Sequence, residues 1–432
     1  MEPLISPKAR VATAAVAFLL LIGAGSPAKA NVSGAGSGAL RAGVAFATSL
    51  RSCRPFTFRI DGVPSVANPF DPQQIDVVAR FQSGSRVYDV PAFYTQDYQR
   101  SRDASGAEIL QPQGNPYWAV RFTPPAGGTW NWKVTIRRNG SLISIQDKGQ
   151  FLCDSTDHGP LRRHLSDPKK LEHADGTPYL AMGENLGWYG PGGTFDYDAW
   201  LDRLAAQGAT WIRVWMASWS FGLEGIRRDS SGAVVETSLG NYTARLDRAW
   251  QLDYVIEAAR ARGIATQLVI QYHGPFSLTT NSEWADNPYN SANGGPISDP
   301  ALFFTDPTSR QLVRQRLRYI VARWGYADNV IWELWNEVDL TAGQPNDILT
   351  WHDEMFRYLD SLDWVPHLRT TSISEWLDFL QPSLAGQDCG QIRCATSYRF
   401  TYTVRAPIFL LTSRAGSPPS WGRRRDRLAS PF

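Results

Sequence analysis

The chain has 432 residues, of which 43% are hydrophobic, so it is long enough for two domains with a large buried core. Its 43 basic and 41 acidic residues leave a formal charge of only +2 at pH 7. A charge so close to neutral gives no reason to expect a nucleic acid or an anionic membrane surface as a partner.

The first 30 residues have the pattern of a secretory signal peptide. Lys8 and Arg10 precede an uncharged, mostly apolar run from Val11 to Pro27, and Ala28-Lys29-Ala30 then places small residues around a cleavage site. The strongly apolar part, 11–22, is too short to span a bilayer, so a signal peptide is favoured over a membrane anchor. We therefore expect a secreted protein, extracellular or periplasmic, without membrane attachment once the signal is removed.

Residues 31–52 are rich in glycine, alanine and serine, which is typical of a linker. Beyond them, short runs of alternating polarity lie between turn signals, for example at 75–81, 117–122 and 129–136. This period-two pattern predicts an antiparallel, immunoglobulin-like β-sandwich over residues 53–155. No catalytic constellation stands out in it, so we interpret it as a scaffold or a substrate-presenting module.

Two cysteines stand at the ends of the predicted sandwich. Cys53 and Cys153 could form a disulfide in an oxidising compartment, because the ends of a domain often lie close together. Two unpaired thiols are an alternative of equal weight. No Cys/His spacing suggests a zinc site, and we expect neither a metal nor a cofactor.

After residue 160 the pattern changes to strands that alternate with helices, and this predicts a barrel domain over residues 160–380. The predicted strands are 179–184, 210–216, 264–273, 329–335 and 368–374, and the predicted helices are 196–207, 246–262, 306–324 and 348–362. Glycine follows three of the helices, as helix C-termini favour. Such alternation implies a parallel sheet, and no glycine-rich phosphate loop follows the first strand. A (β/α)8-type TIM barrel is therefore favoured over an open doubly wound sheet.

Polar residues gather where these strands end, which is where barrel enzymes keep their catalytic groups. Glycoside hydrolysis needs one carboxylic acid to protonate the leaving oxygen and a second carboxylate opposite it. Glu337, at the end of the fourth strand, is the predicted acid/base, and apolar neighbours could keep it protonated. Asn336 is placed to donate a hydrogen bond to a sugar 2-hydroxyl. Glu333 lies mid-strand, and we interpret it as a buried, hydrogen-bonded carboxylate.

The segment 332–337, Trp-Glu-Leu-Trp-Asn-Glu, resembles the strand-four signature of clan A glycoside hydrolases, the cellulase-like retaining barrels. Arg213 in the second strand matches the arginine of that clan, which the resemblance implies helps to hold the nucleophile ionised. Tyr272 and His273 resemble a subsite position. The predicted sandwich resembles a module of unknown function that often precedes such barrels. The resemblance covers about residues 55–380 and implies a secreted retaining hydrolase of a β-linked poly- or oligosaccharide.

Several candidates also have a purely structural interpretation. Arg213 could pair with a core acid such as Glu333 or Glu184, and His273 could be a satisfied polar group near the cleft. The aromatic candidates for stacking on sugar could equally be ordinary packing. The remaining candidates for contact with substrate are Trp188, Trp215, Trp219, Tyr272 and Asn185.

The resemblance does not reach the nucleophile, which in this clan is a second glutamate at the end of strand seven. After Glu337 the sequence has only Glu354, in a predicted helix, and Glu375, just past the fifth strand. The 58 residues from 375 onward are too few for three further strand–helix units. We therefore expect a barrel that is incomplete after strand five.

The tail 381–432 differs in composition from the rest of the chain. From residue 391 onward it has eight arginines, no lysine, no glutamate and a single acid, Asp426. A natural basic tail for a polyanionic partner is one interpretation, and a frameshift near codons 381–390 is the one we favour. The chain as written could then be an inactive remnant or a non-catalytic carbohydrate-binding protein. An extracellular structural module is a third hypothesis, and it rests on the sandwich alone.

Overall fold

The computed structural model describes residues 55–153, 158–167 and 169–374. All of these belong to one compact unit. The predicted signal peptide and linker, Cys53, Glu375 and the Arg-rich tail lie outside the described residues, as does the predicted frameshift. None of the helices in the described part of the chain has the length and apolarity needed to cross a bilayer.

Residues 56–153 form the predicted sandwich of two antiparallel sheets. Its strands are β1 (Phe56–Ile60), β2 (Ile75–Ser83), β3 (Arg86–Pro91), β4 (Phe93–Arg102), β5 (Glu108–Phe122), β6 (Gly128–Arg138) and β7 (Ser141–Cys153). One sheet has the order β1-β5-β4 and the other the order β3-β2-β6-β7. Alternate side chains of the strands point inward, so that the period-two pattern of the sequence becomes one buried face per sheet.

Aromatic rings fill the space between the two sheets. Phe81 on β2 stacks on Phe122 of β5 with ring centroids 3.9 Å apart, and Phe58 of β1 contacts Trp132 of β6. Burial of each such ring contributes about 1.5–3 kcal/mol to folding. Cys153, at the end of β7, is disulfide-bonded, which excludes the free-thiol interpretation for this residue.

A small antiparallel sheet that the sequence interpretation missed precedes the barrel. It consists of β8 (Leu161–Arg163), β9 (Leu171–His173) and β10 (Pro178–Tyr179) in the order β10-β9-β8. Tyr179 therefore pairs with Leu171 and not with a barrel strand, so the predicted first strand at 179–184 is wrong in its first half. The reason is a tight turn at Asp175-Gly176, a dipeptide that is typical of hairpins.

Five parallel strands then form one sheet in the order of the sequence, with a helix after each of the first four. The strands are β11 (Gly183–Asn185), β12 (Trp211–Trp215), β15 (Ala265–Val269), β16 (Val330–Glu333) and β17 (Arg369–Thr370). The helices are α1 (Thr194–Ala206), α2 (Leu246–Arg260), α3 (Pro307–Trp324) and α4 (Pro345–Leu362). A hairpin of β13 (Ile226–Arg228) and β14 (Val234–Thr237) is inserted between β12 and α2.

The sequential order β11-β12-β15-β16-β17 is that of a barrel, since a doubly wound sheet reverses its order beside the first strand. The predicted barrel is confirmed, with five strands and four helices within the described residues.

The ends of helix α3 follow local chemistry. Asp306 caps α3 by accepting a 2.7 Å hydrogen bond from the Ser309 amide, and Pro307 opens the first turn. Gly325 after α3 is not left-handed, but a Cβ there would collide with the Val321 carbonyl.

A buried ionic cluster joins the sandwich to the barrel helices. The Asp253 carboxylate on α2 accepts hydrogen bonds from Arg121 of β5, from Arg323 of α3 and from the Trp324 indole, at 2.7–2.9 Å. Burial raises the pKa of Asp253, but the two guanidinium groups more than offset this and hold the pKa below its usual value. The sandwich and the outer helices are thus linked through one charged group.

Candidate functional site

Side chains from three neighbouring barrel strands, β12, β15 and β16, form a buried polar layer. Arg213 on β12 forms a two-pronged ion pair with Glu333 on β16, at 2.7 and 2.5 Å, and Gln267 on β15 donates to the same carboxylate at 2.6 Å. Glu333 is fully buried. The interpretation of Glu333 as a buried, hydrogen-bonded carboxylate is confirmed. Of the two interpretations of Arg213, the structure shows the pairing with a core acid.

Arg213 also reaches up to Asn336, where it fixes the orientation of the side-chain amide. Its Nη2 donates to the Asn336 carbonyl oxygen at 2.6 Å, and the Ser372 hydroxyl donates to the same oxygen at 3.3 Å. An amide oxygen has two lone pairs, so both are used here. The NH2 group of Asn336 is thereby turned toward Glu337, to which it donates at 3.3 Å.

Glu337 lies just past the carboxyl end of the fourth barrel strand, in an unusual backbone conformation. Its φ of 53° and ψ of 51° are left-handed, a state that costs an ordinary L-residue about 1–2 kcal/mol. Its amide donates to the Ser372 hydroxyl at 3.1 Å, and its carboxylate is 39% exposed. Strained backbone that the surrounding structure holds in place is typical of functional sites.

His273 lies beside Glu337, with its Nδ1 atom 3.2 Å from the Glu337 Oε2 atom. This is an ion-pair distance with poor hydrogen-bond geometry, because neither ring nitrogen has an aligned hydrogen bond within the described residues. The ring is buried at 6% exposure. His273 therefore belongs to the same cluster as Glu337 and Asn336.

The charges of this cluster hold the pKa of Glu337 below its usual value. The contact with His273 contributes most, the Asn336 amide and the Arg213 charge add to it, and partial burial opposes it. The expectation that apolar neighbours keep Glu337 protonated is therefore wrong. The Trp335 ring instead packs among Phe276 and Trp351, and positive groups and hydrogen-bond donors determine the sign of the shift.

We expect the substitution His273→Leu to raise the pKa of Glu337, because it removes the group that stabilises the ionised form most. The pKa can be followed by NMR titration of the labelled glutamate carboxyl carbons. His158→Gln, which changes an exposed histidine paired with Asp175, is the control and should leave the pKa of Glu337 unchanged. A Glu337 pKa that does not rise in the His273 variant would contradict the role of His273 in lowering that pKa.

Four aromatic side chains form a continuous cluster next to these polar groups, named here the aromatic platform. Its members are Trp188, Trp215, Trp219 and Tyr272, with ring centroids of neighbours 5.2–5.8 Å apart. Trp188 and Trp219 are 40% and 44% exposed, so their rings are open to a ligand. Trp215 is covered in part by the Arg213 guanidinium, 4.9 Å from the ring centroid.

The structure brings the predicted site residues to one end of the sheet. Asn185 lies at the end of β11 in register with Arg213 of β12, and its side chain is exposed. Tyr272 and Asn336 form an isolated parallel bridge just past β15 and β16. Within the described residues, no group of three or more His, Cys, Asp or Glu side chains is arranged to hold a metal ion.

Sequence interpretation missed Glu283, a second carboxyl group near the platform. It accepts a 2.6 Å hydrogen bond from the Tyr272 hydroxyl and a 3.3 Å one from Ser218. Burial raises its pKa above the usual value. Glu283 lies in an irregular loop where no periodic pattern marks it, so no signal in the sequence could have placed it beside Tyr272.

Comparison with known families agrees with this geometry. Residues 173–365 match the model of the cellulase family, glycosyl hydrolase family 5. Over that range the barrel is similar to the cellulase family of O-glycosyl hydrolases. Residues 50–137 match a domain of unknown function, DUF5060, which covers most of the sandwich. No curated protein matches the chain.

A solved structure supports the fold. A candidate glycoside hydrolase from Bacteroides vulgatus ATCC 8482 has a TM-score of 0.55 at 18% identity, over 78% of this chain and 58% of that one. The present chain thus spans little more than half the length of that protein. A family 5 glycoside hydrolase from the same organism has a TM-score of 0.32 at 16% identity, over 50% and 39% of the two chains. The endo-1,4-beta-D-mannanase from Thermotoga petrophila RKU-1 has a TM-score of 0.32 at 18% identity, over 45% and 56%.

Proposed function

We propose that this chain hydrolyses a β-linked poly- or oligosaccharide with retention of configuration, and that Glu337 is its acid/base. The observation that carries the proposal is the placement of Glu337 at the end of the fourth strand of a cellulase-family barrel. There the carboxylate is partly exposed, its backbone is left-handed, and it lies between His273 and the amide of Asn336.

In this mechanism Glu337 gives its proton to the glycosidic oxygen as the bond breaks, and later removes a proton from the attacking water. The Asn336 NH2 group, held by Arg213, would donate to the sugar 2-hydroxyl. Trp188 and Trp219 would stack on neighbouring sugar rings. A nucleophile about 5–5.5 Å from Glu337 would complete the site, and its negative charge would raise the pKa of Glu337 toward that of a working acid.

The competing proposal is a carbohydrate-binding protein without catalytic activity. It is supported by the lowered pKa of Glu337. In the described residues, the carboxylate bonded to Arg213 is Glu333, which is fully buried and already paired. The nucleophile is therefore left unassigned, while the platform and the Asn336 amide are sufficient for binding.

Release of reducing sugar from β-glucan, mannan, xylan and galactan tests the proposal, with NMR detection of the anomer formed first. Hydrolysis that initially yields the β-anomer is the expected result. An α-anomer would overturn the retaining mechanism. Retardation of the folded protein in gels that contain a polysaccharide, without hydrolysis, would favour the binding protein. A folded protein that shows neither hydrolysis nor retardation would contradict both proposals.

We also propose that the chain is secreted, on the pattern of its first 30 residues. Cleavage after Ala30 would leave Asn31 as the first residue of the exported protein. N-terminal sequencing of protein recovered outside the cytoplasm tests this, and an intact Met1 on exported protein would contradict it.

A further inference from the structure

The tip of a sandwich hairpin docks on the first helix of the barrel. Glu108, which opens β5, accepts hydrogen bonds from the Thr194 amide at 3.2 Å and from the Thr194 hydroxyl. A carboxylate in this position satisfies one free N–H group of the first turn of α1 and complements the helix dipole. The Glu108 amide in turn donates to the Pro191 carbonyl at 3.0 Å, so main chain and side chain both hold the loop.

The barrel loop is shaped around this carboxylate. Gly193 has a φ of 59°, which favours glycine, and a Cβ on it would collide with the Glu108 side chain. Arg100, on the neighbouring strand β4, donates to the Thr194 hydroxyl at 3.0 Å and covers the Phe195 ring. Both strands of the hairpin therefore contact the start of α1, and the contact is specific to this part of the barrel.

From Glu108 a chain of hydrogen bonds leads toward the aromatic platform. Gln251 of α2, which is 7% exposed, donates to Glu108 Oε2 at 2.6 Å and accepts from the Tyr189 hydroxyl at 2.9 Å. The same hydroxyl lies 3.3 Å from the Ser220 carbonyl oxygen. Tyr189 follows Trp188, and Ser220 follows Trp219, in the sequence.

The loop that carries Trp188 is thus tied to α2 and to the sandwich, and the Tyr189 ring packs edge-on against Phe221, 5.0 Å away, in the loop that carries Trp219. The Trp188 and Trp219 rings lie 5.2 Å apart at an interplanar angle of 81°. Stacking depends on the positions of the two rings. A connected polar network fixes its members more firmly than separate hydrogen bonds do.

We propose that Glu108 is a positioning residue, through which the sandwich sets the spacing of Trp188 and Trp219 by way of Gln251 and Tyr189. The ligand class, a neutral sugar chain, rests on the proposed function, whereas the coupling between sandwich and loops does not. The sandwich then acts as part of the glycan site although none of its residues belongs to the platform.

Hydrogen exchange by mass spectrometry tests the coupling without any ligand. In Glu108→Ala and Tyr189→Phe, exchange of residues 186–190 and 217–222 should be about fivefold faster than in the original chain, as expected for lost hydrogen bonds in this network. Glu108→Gln should restore slow exchange, because its carbonyl can accept from Gln251 and Thr194 while its amide donates to the Thr194 hydroxyl. Asp89→Ala, which breaks an exposed pair with Arg80, is the matched control on the sandwich.

Faster exchange confined to α1 in Glu108→Ala would overturn the proposal, since it would reduce Glu108 to a helix cap. Unchanged exchange in 186–190 and 217–222 would overturn it as well. For a polysaccharide that retards the original chain in a gel, Glu108→Ala and Tyr189→Phe should weaken binding several-fold, with Glu108→Gln close to the original. Where that polysaccharide is hydrolysed, KM should rise and kcat should stay the same. Binding to no polysaccharide would defeat the proposed function, and hydrogen exchange would still decide the coupling.

Discussion

Replacement of Glu337 by glutamine is expected to lower the rate of glycan hydrolysis by about 10²–10⁴-fold, the usual contribution of general acid–base catalysis. Glutamine has nearly the same shape, but it can neither give a proton to the leaving oxygen nor take one from water. The carboxylate is 39% exposed and its interactions are few, so the fold should be retained. The measurement is the initial rate of reducing-sugar release on the preferred polysaccharide, together with the thermal midpoint of unfolding.

Glu354→Gln provides a matched control for this substitution. Glu354 lies on α4 and pairs with Arg310 and Arg314 of α3 on the helical layer of the barrel. The Glu354→Gln substitution should leave the hydrolysis rate unchanged. Full activity in the Glu337 variant, or the same loss in both variants, would show that Glu337 is not the acid/base.

The second large effect is expected on stability. Asp253→Ala should lower the free energy of unfolding by about 3–5 kcal/mol, the usual result of removing one partner from a buried ion pair. The substitution would leave two guanidinium groups, Arg121 and Arg323, next to each other without the carboxylate that both contact. It would also leave the Trp324 indole N–H without its acceptor. Equilibrium unfolding in urea gives the difference directly.

Asp202→Ala is the control, because it breaks an exposed pair with Arg262 whose loss should cost less than about 1 kcal/mol. The pH dependence adds an independent check. The pKa of Asp253 is lowered from 3.8, so its contribution is complete above that pH and is lost as the pH falls through the lowered value. The difference in the free energy of unfolding between the original chain and Asp253→Ala should therefore become smaller in strong acid. Equal losses in the two variants at neutral pH would contradict the role of Asp253.

The sequence by itself determined the features that depend on near neighbours along the chain. Helix α3 begins after the capping residue Asp306 and ends at Trp324, as the sequence predicts, because caps and 3.6-residue periodicity are local. The alternation of strands and helices was sufficient to predict a parallel sheet of barrel type. Glu337 and Asn336 could be chosen because a strand end in a barrel is a place that the sequence marks.

Only the tertiary structure decided which groups meet across the sheet. Arg213 is 120 positions from Glu333 in the sequence, and the pairing arises because β12, β15 and β16 bring side chains of the same layer together. The sign of the Glu337 pKa shift follows from the same arrangement, since Arg213 comes from β12 and His273 from the segment after β15. The link from Glu108 to Tyr189 joins three separate elements. Each of these interactions depends on distances through space, and neither periodicity nor a local motif encodes them.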